Sequence, residues 1–329
     1  MIAAPEPALY WAILALGTGL AAGSVARVIA LRNAEEVTRR QRLASLRSWW
    51  MLAILLSAAV LAGRIGICLL LCAASCIAWF EITRMTAPRS ADRLAIRAGY
   101  GLIIVNYLLI LLGWVSLFSI FLPVGGLIAL AVLLLIRDEP QGYIRSAGIL
   151  LWGMLFLGYG ISHAALLTVV PTFSAGPLGP AGWFLFLVIL TETDDIFQAI
   201  VGRLFGGHKR HRISPTISPN KTWEGFFGGM LVIVVLAPVI APWLTTLDQS
   251  AGPFPMSEAL RPYAAPVLAA LLISVAGFFG DINMSAIKRD SGVKDSGKLL
   301  PGIGGMIDRV DSLTMTAPVY FYFVVWWLA

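Results

Sequence analysis

Long apolar segments, separated by short polar connections, run along almost the whole chain. A helix needs about 20 apolar residues to cross a bilayer, and most of these segments approach that length. The longer stretch 98–136 contains Pro123 followed by Gly125 and Gly126, which favours two helices, or one helix plus a broken one. The pattern predicts an all-α, polytopic integral membrane protein with about ten transmembrane helices. We expect them near residues 8–31, 48–63, 65–83, 98–113, 115–136, 146–170, 181–204, 224–246, 262–280 and 313–328.

The composition supports a membrane location. Of the 329 residues, 58% are hydrophobic and only 13% are charged, whereas soluble domains carry about a quarter charged residues. Much of the protein surface must therefore face lipid. The net charge of +6 is consistent with membrane lipid headgroups and an anionic substrate as partners, and it does not require a nucleic acid.

The basic residues predict how the helices are oriented. Cytoplasmic loops of membrane proteins are enriched in Lys and Arg. If the N-terminus lies outside, all of the 24 basic residues except Arg64 and Arg261 fall in cytoplasmic loops or at cytoplasmic helix ends. This asymmetry favours the ten-helix arrangement with an external N-terminus.

A first block of polar residues begins inside the seventh predicted helix. It contains Asp194 and Asp195, and carboxylates at membrane depth are costly and seldom kept without a function or a partner. Gln198 follows Asp195 by one helical turn, so the two side chains should share a face. The block continues to the segment 218–225, which contains Lys221. We expect a functional role for the two aspartates.

A second, denser polar block covers residues 280–312. Asp281, Ser285 and Lys288 have the spacing of one helical face at the end of the ninth predicted helix. Glycines around residue 301 would let backbone N–H groups approach an anion closely. A re-entrant loop held by internal ion pairs is the purely structural alternative.

The two carboxylates at the end of this block suggest a cation. Asp308 and Asp311 are one turn apart, so both could face the same ion. Oxygen ligands beside glycine turns and lysines suit Mg²⁺ bound together with substrate phosphates. No Cys or His lies near enough in the sequence to indicate zinc.

The second block resembles the signature of the phosphatidate cytidylyltransferases, also called CDP-diacylglycerol synthases. The segment 218–225 is typical of the same family, as is an aspartate seven residues before a Gly-Arg pair, here Asp195. One signature position differs, because Ile303 stands where the family has histidine. The matching positions are Ser285, Lys288, Arg289, Lys294, Asp295, Gly297, Pro301, Gly302, Gly304, Gly305, Asp308, Arg309 and Asp311.

The resemblance implies that CTP and phosphatidic acid react to give CDP-diacylglycerol and pyrophosphate, with Mg²⁺ and room for a second cation. The implied metal ligands are Asp281, Asp308 and Asp311. The implied catalytic residues are Asp281, Lys288, Arg289, Lys294, Asp308 and Arg309, the basic ones holding the phosphates. The implied substrate contacts are Asp195, Gln198, Ser218, Lys221, Ser285, Gly302, Gly304 and Gly305.

The same resemblance suggests the organisation of the chain. We expect N-terminal membrane-anchoring helices over 1–140 and a C-terminal catalytic membrane domain over 141–329, with cytoplasmic loops 204–223 and 281–312. A multi-pass protein of the bacterial inner or plasma membrane, with its active site facing the cytoplasm, is implied, and a homodimer is suggested. The alternatives are a catalytically altered paralogue, another CTP-dependent lipid kinase or transferase, or a transporter, which would also bury acidic residues among its helices.

Overall fold

Helices make up most of the structure, joined by short connections. The computed structural model describes residues 7–32, 36–86, 89–136, 138–170, 176–207, 211–250, 252–297, 299 and 304–329. The longer helices are α1 Pro7–Ala30, α2 Glu36–Leu61, α3 Gly63–Met85, α4 Arg93–Leu112, α5 Val115–Leu135, α6 Tyr143–Leu166, α7 Gly179–Phe205, α8 Trp223–Leu244 and α9 Arg261–Asp290. They are followed by the short α10 Ile307–Val310 and by α11 Leu313–Leu328. The predicted all-α class is confirmed, apart from one short hairpin described below.

Several of these helices are suited to cross a membrane. Within the described residues, seven are long and apolar enough: the part Leu43–Leu61 of α2, then α3, α4 (with the preceding turn), α5, α6, α8 and α9. The chain is a helical membrane protein. The predicted number of ten is not confirmed, because three acidic residues interrupt the apolar sequence of α7 and α11 has only 16 residues. Some side chains of α1 are not among those that the structure describes.

The stretch 98–136 forms two helices, as its sequence predicts. The backbone at Gly113 adopts a φ of +74°, a left-handed conformation that ends α4 and suits glycine. The second helix, α5, is continuous, but it widens into a π-helical turn over Phe121–Gly126. This turn contains Pro123, which has no N–H to donate to an ordinary helical hydrogen bond. The proline therefore changes the local helix type without breaking the helix.

Small residues allow the C-terminal helices to approach one another closely. A Cβ atom on Gly229 of α8 would lie 2.6 Å from Oδ1 of Asp194 on α7. A Cβ on Gly280 of α9 would lie 2.7 Å from the carbonyl oxygen of Asp311. Any larger side chain would push these segments apart. Both glycines therefore bring acidic residues of α7 and of the segment before α11 next to their neighbouring helices.

Candidate active site

A short hairpin between α7 and α8 carries the upstream motif. The strands β1 Arg212–Ser214 and β2 Ser218–Thr222 pair antiparallel, with Ser218 opposite Ser214. Thr222 ends the hairpin and caps α8, because its hydroxyl accepts a hydrogen bond from the N–H of Gly225 at 3.1 Å. The hairpin, which the sequence did not predict, turns the chain back so that Lys221 reaches α7 and α9.

Lys221 joins the two polar blocks. Its Nζ lies 2.8 Å from Oδ2 of Asp281 and 4.0 Å from Oδ1 of Asp195. It also donates a hydrogen bond to Oε1 of Gln198 at 2.9 Å. Burial lowers the pKa of Lys221, but the carboxylates of Asp281 and Asp195 raise it by more, so this pKa is above its usual value. The side chain is therefore a cation held between α7 and α9.

The carboxylates of α7 are held by neighbouring polar groups. Asp194 is buried and accepts hydrogen bonds from Nε2 of Gln198 at 2.8 Å and from the hydroxyl of Ser274 at 3.2 Å. Asp195 accepts one from the hydroxyl of Ser312 at 2.7 Å. These bonds satisfy polar groups that would be costly to bury alone. They also orient Asp195 and Gln198 toward Lys221, as the spacing of the two residues predicts.

Two more carboxylates lie beside this group. Asp281 accepts a hydrogen bond from the hydroxyl of Ser285 at 3.2 Å, within the predicted helical face. The pKa of Asp311 is raised well above its ordinary value by burial and by the negative charges of Asp281 and Asp195. Several acidic groups thus surround one ammonium, an arrangement that favours the binding of a further cation.

This donor chemistry suits Mg²⁺, but the side chains do not enclose a metal as they stand. Among the residues that the structure describes, no three His, Cys, Asp or Glu side chains are grouped closely enough to hold an ion. The magnesium assignment of Asp281, Asp308 and Asp311 stays a prediction.

Asp308 forms a separate ion pair with Lys288, whose Nζ lies 2.7 Å from Oδ1. Its other oxygen accepts hydrogen bonds from the N–H of Ser296 at 3.1 Å and of Gly305 at 2.9 Å. Burial raises the pKa of Asp308, but the ion pair and these hydrogen bonds lower it by more, so the net shift is downward. Gly304 has a φ of +95°, and a Cβ there would lie 2.5 Å from Oδ2. Glycine is therefore required at this position.

The remaining predicted residues have more varied positions. The Nε of Arg289 donates a hydrogen bond to the carbonyl oxygen of Ile217, in the hairpin turn, at 3.3 Å. Lys294 is exposed. The guanidinium of Arg309 lies over the Trp49 ring, 5.8 Å from its centre, and its buried Nε has no hydrogen-bond partner within the described part of the chain. The predicted residue Gly302, and also Ile303, lie outside the described residues.

The sequence did not lead us to Glu81, which lies near the end of α3. Its carboxylate accepts hydrogen bonds from the N–H groups of Met306 and Ile307 and from the hydroxyl of Ser296. A single carboxylate in an otherwise apolar segment is a signal for function, because such groups are rarely kept without a partner. Ser296 and Ser312 carry no comparable signal in the sequence.

Comparison with known proteins shows the family to which the chain belongs. The sequence model of the cytidylyltransferase family matches residues 42–327. The chain belongs to the cytidylyltransferase family. The match includes Glu81, both polar blocks and the hairpin between them. The protein is therefore a membrane-embedded nucleotidyltransferase.

Individual relatives agree with the family match. Protein YnbB of Escherichia coli (strain K12), which is uncharacterized, is 38% identical over 293 residues, 89% of each chain. The phosphatidate cytidylyltransferase of Brucella abortus biovar 1 (strain 9-941) is 32% identical over 263 residues, 79% of this chain and 85% of the relative. That of Chlamydia pneumoniae is 34% identical over 192 residues, 58% of each chain.

Proposed function

We propose that this cytidylyltransferase is a CTP:phosphatidate cytidylyltransferase, which makes CDP-diacylglycerol and pyrophosphate for phospholipid biosynthesis. The observation that carries the proposal is the meeting of Lys221, from the upstream motif, with Asp281, from the signature block. The relatives from Brucella and Chlamydia bear the name of this activity. A transporter would have no need for the phosphate-binding chemistry of the signature block.

The reaction needs charge neutralisation and alignment more than proton transfer. An oxygen of the lipid phosphate forms a bond to the α-phosphorus of CTP. The bond from that phosphorus to the oxygen bridging the β-phosphate breaks, and pyrophosphate leaves. Because the lipid phosphate is already anionic, no strong base is required, and catalysis depends on positioning and on cations.

The basic residues divide between the part of the site that would bind CTP and the part that would bind the lipid phosphate. Lys221 lies between the carboxylates of Asp281 and Asp195, and Lys288 pairs with Asp308. Both ammonium groups would contact the phosphates of CTP once these carboxylates bind a metal. The buried Nε of Arg309 lies beside α7 and has no hydrogen-bond partner among the residues described, and this side chain would hold the lipid phosphate. Exposed Lys294 would contact the nucleotide at the mouth of the site.

Mg²⁺ is the cation that we propose for the acidic group. Asp281, Asp311 and Asp195 would hold it, whereas Asp308 would first have to exchange its present partners. When bound, the metal neutralises the negative charge of the triphosphate and withdraws electrons from the reacting phosphorus. Ser312 and Ser285 would keep Asp195 and Asp281 oriented through the hydrogen bonds described above, and Gln198 would hold Lys221 beside them.

The membrane orientation that we propose follows from where the site residues lie. Glu81, Gln198 and Lys288 all lie near the C-terminal ends of their helices, α3, α7 and α9. In the ten-helix arrangement, all three ends face the cytoplasm, where CTP is made. A bacterial plasma membrane protein with a cytoplasmic active site would receive CTP from solution and phosphatidate from the bilayer.

The decisive experiment uses purified protein in mixed micelles with Mg²⁺, phosphatidic acid and CTP labelled at the α-phosphate. We expect a labelled CDP-lipid that depends on both phosphatidic acid and Mg²⁺, and a loss of more than about 100-fold in Asp281→Asn. A parallel reaction with CTP labelled at the γ-phosphate and diacylglycerol or polyprenol tests for a lipid kinase. Label in the lipid of that reaction, or no product in either, would overturn the proposal.

A further inference from the structure

Glu81 is a buried carboxylate in the N-terminal half of the chain, away from both polar blocks in sequence. It is the only acidic residue of α3 and is 5% exposed. A carboxylate buried to this degree is stable only when hydrogen bonds or a cation compensate for the lost water. The groups that compensate for the lost water therefore show which part of the protein the Glu81 side chain holds.

Within the described residues, all the hydrogen bonds that Glu81 accepts come from the signature block. Oε1 accepts from the N–H of Met306 at 2.8 Å, and Oε2 accepts from the N–H of Ile307 at 2.9 Å. The hydroxyl of Ser296 donates to Oε2 at 2.8 Å. Hydrogen bonds to an ionised acceptor are about twice as strong as those between neutral groups. One side chain thus ties together the two ends of the segment 296–307.

The glycines of this segment leave room for the carboxylate. A Cβ on Gly297 would lie 2.6 Å from Oε1 of Glu81, and a Cβ on Gly305 would lie 2.5 Å from Oε2. Real Cβ contacts are essentially never so short, so any other residue would displace the carboxylate or the loop. Glu81 and these two glycines fit together as one unit.

The Ser296 hydroxyl links Glu81 to the active-site ion pair. Its oxygen lies 2.8 Å from Oε2 of Glu81 and 3.1 Å from Oδ2 of Asp308. A hydroxyl has one hydrogen, so it donates to one of these oxygens at a time. Asp308 in turn holds Lys288. The network therefore runs from α3 to a cation of the site.

We infer that Glu81 is a positioning residue, which fixes the loop of Asp308 and thereby the placement of Lys288. The N-terminal half then does more than anchor the protein: it completes the active site. The inference rests on the proposed function, because it takes the loop to serve that reaction. The hydrogen bonds of Glu81 do not depend on the reaction and can be measured separately.

The first test measures those hydrogen bonds without any substrate. In Glu81→Gln, the amide NH₂ would face an N–H donor, so one of the two backbone amides loses its acceptor. We expect hydrogen–deuterium exchange in peptides covering 304–311 to become about tenfold faster, because local opening costs less. Exchange as slow as in the wild-type protein would overturn the inference.

The matched control is Asp92→Asn. Asp92 is also a buried carboxylate of the N-terminal half, but it binds Arg89 and Ser146 and makes no hydrogen bond to the described part of the signature block. The variant should lose stability and leave exchange in 304–311 unchanged. Equal acceleration of that peptide in both variants would show a general loosening and would also overturn a specific role for Glu81.

The second test separates positioning from folding. Glu81→Gln should lower kcat by about 10- to 100-fold, with the KM for CTP changed less than about threefold, because misplacement of a cation affects the transition state most. If Glu81→Gln does not fold, Ser296→Ala keeps the carboxylate and removes the link to Asp308, and its kcat should fall about tenfold. A wild-type kcat in whichever variant folds would overturn the inference. An inactive wild-type protein would instead overturn the proposed function, and the exchange measurement would still decide on Glu81.

Discussion

Lys221 and Asp281 form an ion pair of 2.8 Å, which joins the hairpin after α7 to the C-terminal half of α9. The same ammonium also lies 4.0 Å from Asp195 and binds the amide oxygen of Gln198. One positive charge is thus shared by two carboxylates. We therefore expect the loss of either partner to change both the stability of the site and its affinity for added cations.

A double-mutant cycle on this pair gives the first prediction. Lys221→Met leaves Asp281 and Asp195 without their cation, so we expect a lower melting temperature and a loss of activity of about 100-fold or more. Adding Asp281→Asn removes one of the two stranded charges. The double variant should therefore be more stable than the sum of the single effects predicts, by about 1–3 kcal/mol.

Thermal unfolding in detergent, without divalent ions, measures this coupling. The control is Lys294→Met, because Lys294 is exposed and should have no effect on the melting temperature. Additive effects of Lys221→Met and Asp281→Asn would mean that the ion pair does not contribute to the folded protein.

The second prediction concerns the pH dependence of stability at Asp311. Its pKa in the folded protein is raised above the ordinary value of 3.8, so folding favours the protonated form. The stability that this group contributes is present below about pH 4 and is lost as the pH rises toward the folded pKa. Asp311→Asn should therefore stabilise the protein, and by more at pH 8 than at pH 5.

Asparagine keeps the oxygen that accepts the hydrogen bond from the N–H of Ser312 at 3.0 Å, so the substitution changes charge more than shape. Unfolding is measured in a chelating buffer, and then with Mg²⁺. If Asp311 contributes to the metal site, Mg²⁺ should stabilise the wild-type protein more than the variant. A variant that is less stable at every pH would show that the ionised carboxylate is favourable where it lies.

The third prediction tests membrane orientation. Thr216 is exposed at the hairpin turn, and Ser257 is exposed in the connection before α9. After Cys68, Cys72 and Cys76 are replaced by alanine, a cysteine at 257 should react with an impermeant thiol reagent added to intact cells. A cysteine at 216 should react only after the membrane is opened. The reverse pattern would place the active site outside the cytoplasm.

The chemistry of the site could be predicted from the sequence where it depends on local spacing. Asp195 and Gln198 are one turn apart on a continuous helix, and both reach Lys221. Asp308 and Asp311 are also one turn apart, and the backbone at Asp311 stays helical after α10 ends at Val310. Their present partners nevertheless differ, because Asp308 holds Lys288, whereas Asp311 lies beside Asp281 and Asp195.

Contacts between distant segments are not visible in local spacing. Glu81 is the only acidic residue of α3, and its hydrogen-bond partners lie near the other end of the chain. The hairpin 212–222 likewise depends on pairing between short polar strands with no apolar alternation. In both cases, tertiary packing decides which groups meet.

The last prediction concerns Ile303, where the family resemblance would place histidine. General acid–base catalysis by an imidazole typically contributes about 10²–10⁴-fold, so its absence would be evident if the reaction required it. The residues that flank this position argue against such a requirement. The N–H of Gly305 binds Asp308, and Asp308 holds Lys288, so the charged part of the loop is complete without an imidazole. Transfer of a nucleotidyl group also depends mainly on cations and alignment.

We therefore expect the isoleucine protein to be active, and Ile303→His to change kcat by less than about tenfold, or roughly 1.4 kcal/mol of barrier. The measurement compares both proteins at saturating CTP between about pH 6 and 9, a range that includes the ordinary pKa of histidine. The informative result is the combination of rate and pH profile. A nearly inactive isoleucine protein, together with a histidine variant whose rate follows a new ionisation near neutral pH, would mean that this loop supplies proton transfer as well as position.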